Sequence, residues 1–334
     1  MRFQHSTISS LVAVAALAAL AACSGATSQM PPGAQLAPTA GSHIVAAASQ
    51  SANHDTSWIS PAAYAEAKVT GLLFISNPSK NEVSIFSEDR GTKPIGKVSN
   101  GLAFPGALAV DRASNLYVAN GTGSTVTMYA PPYTGAPKVT YASGLSGPTA
   151  LAVSHDGTLY VAEATAGPLF GQIVVFPPHK TTPSLTIPIT FPFGITTDSS
   201  GNLYVSPGTT HDVEKFAPGS THGTILGLQG MISPAGLAFD SSGNLVVVDE
   251  GSGLKPAVYT FAPGSKTSHN TITAGLQVPE TIAVATRGAH IFVGDSGSQT
   301  VPENITEFAY PAGVAGRIVP KLSFNVAVSP PAPI

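Results

Sequence analysis

DSSGNLYV at residues 198–205 and DSSGNLVV at 240–247 are nearly the same eight residues, written twice. Each lies inside a longer unit that begins at a proline. The units read PGALAVDRASNLYVAN (105–120), PTALAVSHDGTLYVAE (148–163), PFGITTDSSGNLYVSP (192–207), PAGLAFDSSGNLVVVD (234–249) and PETIAVATRGAHIFVG (279–294). Their prolines are 43, 44, 42 and 45 residues apart. A period in the forties, built from short apolar runs, is the signature of a propeller. Every unit holds an apolar run, a turn around Asp/Ser-Gly-Asn and a second run such as LYVA, which reads as a hairpin. Gly157, Gly201, Gly243 and Gly288 supply the positive φ that such turns demand.

A third strand is expected at a matching distance in each unit: VTMYA (126–130), IVVFP (173–177), VEKFA (213–217), VYTFA (258–262) and ITEFA (305–309). A weaker fourth follows, as in TITAGL (271–276), and four antiparallel strands make one blade. At the ends, GLLFISN (71–77) matches a second strand with no first strand before it, and VSIFS (83–87) is its third. LSFNVAVS (322–329) matches a first strand with no second after it. The two fragments complete one another. The expected fold is therefore all-β: a six-bladed β-propeller of four-stranded antiparallel blades, the last closed by strands from both termini. A ring leaves no terminal sheet with an unpaired edge.

In the innermost strands small and large residues alternate. The small set runs Ala107/Ala109, Ala150/Ala152, Gly194/Thr196, Gly236/Ala238, Thr281/Ala283 and Asn325/Ala327. Alternate residues point to opposite faces of a strand. Blades converge toward the axis, so one face must stay small while the other fills the gap.

Charged residues make up 10% of the chain and the net charge is −3, which provides no basic patch for nucleic acid. Hydrophobic residues at 43% are ample for a large core, and 34 glycines with 29 prolines fit a turn-rich fold. The start, MRFQHSTISSLVAVAALAALAACSG, has an apolar run of signal-peptide length. Its end, Leu20-Ala21-Ala22-Cys23, resembles the bacterial lipobox, in which the cysteine is lipidated. The other reading is an ordinary secretory signal cut near the same alanines. Cys23 is the only cysteine, so no intramolecular disulfide forms. The expected organisation is a lipoprotein signal at 1–22, a flexible Ala/Ser/Gly/Pro-rich linker at 23–57, a short helix at 58–69 with Trp58 packing it onto the domain, the propeller at 70–329 and a tail at 330–334.

With its PxGLAxDxxGNLYVA units, the chain from about residue 70 to 329 resembles the NHL-repeat and SMP-30/gluconolactonase-like six-bladed propellers. In the lactonase-like branch the resemblance implies a divalent metal held by Glu, Asn and Asp, two of them directly after the proline. Here that position holds Gly106, Thr149, Phe193, Ala235 and Glu280, with Phe324 in the split blade. Only Glu280 among these offers a cation a charged oxygen. Hard ions want several. The lyase-like branch implies His and Glu around the same mouth, and no histidine starts an inner strand here.

One polar ring remains, at or just after the end of each second strand: Asn77, Asn120, Glu163, Pro207, Asp249 and Asp295. With His211 from the equivalent loop and Glu280, the residues Glu163, His211, Asp249 and Asp295 form a candidate arc for a ligand, with Ca²⁺ as the conceivable cation. The alternative is that the Asn and Asp members cap their own turns. No catalytic residue is assigned and no cofactor is expected. The expected function is a non-catalytic cell-envelope lipoprotein, lipidated at Cys23. Its propeller binds a protein, peptide or glycan on one face, with only its lipid in the membrane. The alternative is a lactonase- or lyase-type enzyme with an atypical metal site at the channel mouth.

Overall fold

The computed structural model describes residues 57–88, 92–164, 170–253, 255–285, 290–297, 303–311, 313–320 and 326–329. The signal segment, Cys23, nearly all of the linker, Gly288, Phe324 and the 330–334 tail lie outside them. Six antiparallel sheets account for the described strands, five of four strands and one of five. The second blade is representative. It comprises Pro148–Val153, Leu159–Glu163, Gln172–Phe176 and Leu185–Pro188, paired in that order. The first strands of the six blades are Pro105–Val110, Pro148–Val153, Pro192–Thr197, Pro234–Phe239, Pro279–Val284 and Val326–Ser329. Each contacts the next and the last contacts the first, so the ring is closed. The fold is a six-bladed β-propeller.

The closing blade takes its inner strand from one end of the chain and the rest from the other. Leu72–Asn77 pairs with Val326–Ser329 in the register Leu72↔Ser329 to Ile75↔Val326. Glu82–Ser87 and Gly96–Val98 follow outward. A two-residue strand, Trp58–Ile59, then adds a fifth strand through Trp58↔Lys97. From sequence, Trp58 is expected to pack the neighbouring helix onto the domain. It lies on this outer edge and is 44% exposed. The helix itself spans Pro61–Thr70. Ser60 caps it by accepting from the Ala63 N–H at 3.5 Å, and Pro61 occupies a first-turn position where no N–H is needed. It ends at Gly71, whose φ of 127° only glycine adopts without strain. Tyr133, from the first blade, joins this region to its neighbour. Its ring meets Phe74 edge-on at 5.1 Å and Tyr64 at 6.3 Å, and its hydroxyl donates to the Ser114 carbonyl at 2.7 Å.

The repeated octapeptide is the turn between first and second strands. Asp198 accepts from the N–H groups of Ser200 and Asn202, each at 2.9 Å, from the Asn202 side chain at 2.8 Å and from the Tyr204 hydroxyl at 3.0 Å. Asp240 repeats the pattern with Ser242 and Asn244, and takes the hydroxyl of Tyr310 from the next blade at 2.9 Å. Gly201 and Gly243 both have φ 79°. In the first blade Ser114 stands in the glycine's place at φ 61°.

The small face of each inner strand nests against a large residue of the next blade. Ala107 and Ala109 cluster with Leu151, Ala150 and Ala152 with Ile195, and Ala327 with Leu108. The tightest approach is at Gly194, where a Cβ would lie 2.1 Å from the Ala235 carbonyl oxygen. At Gly236 a Cβ would lie 2.8 Å from the Glu280 carbonyl oxygen. Both obstacles are backbone, which cannot rotate aside. Gly194→Ala is therefore expected to destabilise the domain by about 1–3 kcal/mol, the range for overpacking a tight interior. Denaturant melts of the variant and wild type check this, with Gly135→Ala, where a Cβ meets nothing within 4 Å, as the control for general loss of a glycine.

Candidate functional site

The loops that enter first strands and those that leave second strands share one face of the ring. In five blades the proline that opens the first strand sits opposite the residue that ends the second: Pro105↔Asn120, Pro148↔Glu163, Pro192↔Pro207, Pro234↔Asp249 and Pro279↔Asp295. A register shift follows each of these pairs, so the ladder cannot continue to the mouth by strand pairing alone. The side chains of the ring residues take over the stitching.

Asp249 is buried and accepts from the N–H groups of Ile232 at 2.6 Å, Ser233 at 2.9 Å and Gly251 at 2.7 Å. Asp295 does the same with Gln277 at 2.7 Å, Val278 at 3.0 Å and Gly297 at 2.8 Å. Asn120 accepts from Ala103 at 3.0 Å, and Glu163 accepts from the Ser146 N–H and from the Gln172 amide at 2.7 Å. Asn77 accepts from Lys80 at 3.2 Å within its own turn. The Asp members do cap the turn that follows them, as one sequence reading held. Their further bonds run back to the loop that enters their own blade. That loop is about seventeen residues upstream, and sequence spacing does not reveal it.

Of the candidate arc, Glu163 is tied within its own blade, and His211 directs Nδ1 at the Ile232 carbonyl. Asp249, Glu280 and Asp295 fall in one acidic neighbourhood, joined by Glu250. Burial pushes the Glu250 carboxyl up to about 7, with Glu280 and Asp249 adding to the rise. Burial also raises Glu280, against a 2.8 Å hydrogen bond from Ser296 and with Asp295 and Glu303 pushing the same way. Among the described residues no three His, Cys, Asp or Glu side chains gather as a metal-binding group.

Pro207 breaks the polar ring, and aromatic side chains stand where it breaks. Phe170, Phe191 and Phe193 are 64%, 40% and 45% exposed, and Phe104 on the first blade is 46% exposed. Phe170 and Phe191 stack with planes 5° apart and centroids at 5.9 Å. Phe191 and Phe193 close over the bare backbone of Gly208, where a Cβ would lie 2.7 Å from the Phe193 ring. Phe104 covers Gly121 in the same way. Phe104, Phe170 and Phe191 have φ of 56°, 62° and 45°, a left-handed conformation that costs a bulky residue about 1–2 kcal/mol. These phenylalanines escaped the sequence reading, which searched the loops for ionisable groups. The signal was there: Phe104 and Phe191 each precede a strand-opening proline, in loops where apolar residues have no core to fill. On the opposite face, grooves of about 610 and 510 Å³ run between blades, lined by the octapeptide turns and the outer hairpins.

No family model matches the chain, and no curated protein matches it. Solved structures do. A chain of a nidogen/laminin complex is similar over 78% of this chain and 98% of that one, with TM-score 0.62 and 20% identity. A protein of unknown function from Bacteroides caccae covers 78% of this chain and 99% of its own, with TM-score 0.60 and 13% identity. A functionally unknown protein from Desulfotomaculum acetoxidans covers 73% and 78%, with TM-score 0.52 and 16% identity. At these identities the likeness is one of fold.

The raised Glu250 carboxyl has a consequence for stability. The folded state holds its proton more tightly than the unfolded chain, so stability falls as pH rises from about 4.5 through about 7. Glu250→Gln removes that loss. Its melting temperature is expected to exceed the wild type's above about pH 7.5 and to match it near about pH 4.5. Thermal melts across this range check the sign.

Proposed function

We propose that this chain is a non-catalytic lipoprotein of the bacterial cell envelope, whose propeller binds a partner on the face that carries Phe104, Phe170, Phe191 and Phe193. The observation behind the binding role is the pairing of exposure with strain at three of these residues. Strained, exposed aromatic side chains lower the stability of the free protein, and binding surfaces are where such a cost persists. On the same face, most of the buried polar ring is occupied with backbone N–H groups. The repeat motif supports kinship with the NHL-repeat and SMP-30/gluconolactonase-like propellers, and fold alone does not carry an activity across. The neighbour from a nidogen/laminin complex is part of a protein–protein assembly, which supports a protein partner.

The lipoprotein reading rests on Leu20-Ala21-Ala22-Cys23. Cys23→Ala is expected to move the protein from the membrane to the soluble fraction or to block its processing, since the thiol is the acceptor of the lipid. Full retention in membranes by this variant refutes the anchor.

For the binding face, a photoreactive benzoylphenylalanine replaces Phe193 or Phe170 in cells. Discrete crosslinked adducts are expected from these positions and none from exposed Ile225 on an outer strand. No adduct from either phenylalanine overturns the platform. The rival reading, a lactonase or lyase with a displaced site, has the Glu250–Glu280 neighbourhood on its side. A calcium-dependent rise in melting temperature that Glu280→Gln abolishes favours that enzyme instead.

A further inference from the structure

Around the mouth, the residue after each strand-opening proline occupies the same level of its inner strand. Gly106 leaves open space, since a Cβ built there meets nothing within 4 Å. Thr149 and Phe193 are exposed, Ala235 is buried and Glu280 is half-buried. The order matters because the inner strands touch through backbone. Gly194 packs on Ala235 and Gly236, and Gly236 packs on Glu280 and Thr281. In the order of the inner strands Ala235 is thus the residue between Phe193 and Glu280. An apolar shelf of Phe170, Phe191 and Phe193 and an acidic corner of Glu280 and Glu250 therefore share this face with one blade's inner strand between them; Asp249 adds its charge near Glu250, and Asp295 and Glu303 add theirs near Glu280. Lys255 in the exit loop of the fourth blade and Lys80 on the closing blade also lie on this face. The carboxylates around Glu280 outnumber them.

We propose that this mouth binds a protein segment that lays an aliphatic or proline side chain on the Phe170–Phe191–Phe193 shelf and places a lysine or arginine against Glu280 and Glu250. This rests on the platform reading above and names the partner's chemistry. Two features favour a peptide over a glycan. Sugar recognition needs many convergent hydrogen-bonding groups, and the positions that flank Phe193 in the adjoining blades are Ala235 and Thr149, whose hydroxyl already donates to the Ala162 carbonyl at 3.2 Å. Asp249 and Asp295 already hold three backbone N–H groups each and have little left to offer hydroxyls. An apolar contact flanked by a charge of fixed sign is the pattern of a peptide anchor beside a basic residue.

The test is selection of a random twelve-residue phage-displayed peptide library on the full chain, followed by affinity measurement with the selected peptides made synthetically. Enriched peptides are expected to carry Lys or Arg near Leu, Ile, Met or Pro. Phe170→Ser/Phe191→Ser/Phe193→Ser is expected to weaken their binding by about thirtyfold or more, as for an aromatic hot spot. Glu280→Gln, which keeps the side chain's shape, is expected to weaken it by about tenfold and to flatten its dependence on salt. Equal melting temperatures in each variant and the wild type exclude misfolding as the cause. Peptides that depend on the phenylalanines but lack basic residues, or that ignore Glu280→Gln, overturn the basic-segment proposal and leave the platform standing. A glycan-array ligand that depends on the same phenylalanines, with no peptide enriched, also overturns the proposal and leaves the platform. If no ligand of either class depends on the phenylalanines, both fall.

Discussion

Everything in this molecule depends on backbone approaching backbone where the blades converge. The Gly194 position sits against the Ala235 carbonyl and the Gly236 position against the Glu280 carbonyl, closer than any side chain permits. That contact sets the radius of the ring. The radius in turn demands small residues, mostly alanine, glycine or threonine, on one face of the inner strands, with larger ones, mostly leucine, isoleucine or valine, on the other. Because hydrophobic packing is dense and unforgiving, the repeat of small and large residues is a geometric requirement of six sheets sharing one axis.

At the mouth the same convergence creates a second problem. Five of the six first strands begin at a proline, which has no N–H, and a register shift follows at once. Backbone donors in the entry loops then need acceptors. Asp249, Asp295, Asn120 and Glu163 supply them from the ends of the second strands. Buried carboxylates that hold several N–H groups are well satisfied, and they are poorly placed to do anything else. The residue after the second strand also donates its N–H to the entry loop, Gly121 to Phe104, Gly208 to Phe191, Glu250 to Ser233 and Ser296 to Val278, and at Pro207 this backbone bond has no acceptor side chain beside it.

The ring, the blade count and the shared closing blade were legible in the sequence because they rest on periodicity, which survives in five copies. The turn residues Asp198, Gly201 and Asn202 were legible for the same reason. The mouth was not. Its character comes from the loops, which differ from blade to blade, and from contacts such as Asp295 to Gln277, whose partners are close only once the strands have paired. The acidic residues drew attention because ionisable groups carry chemistry. Their role in holding loop amides appears only in three dimensions. Phe191 and Phe193 flank a proline that the repeat had already claimed as structural, so their exposure had no counterpart in the pattern. Trp58 lies in a short edge strand and is 44% exposed, a placement that depends on its pairing with Lys97 and that no repeat signals.

The shared closing blade also imposes an order on how the chain is made. Leu72–Asn77 leaves the ribosome before the five intervening blades, with Leu73, Phe74 and Ile75 destined for complete burial. Its inner partner, Val326–Ser329, is translated only after them. Until then that strand presents an apolar edge with no mate, the kind of surface that recruits wrong partners. The intervening blades pair within themselves and need not wait. Ring closure is then a single late event joining distant parts of the chain, and loop-closure entropy makes such contacts slow. A nascent chain stalled before residue 326 would thus hold five complete blades and one adhesive edge, and chaperone demand should peak there.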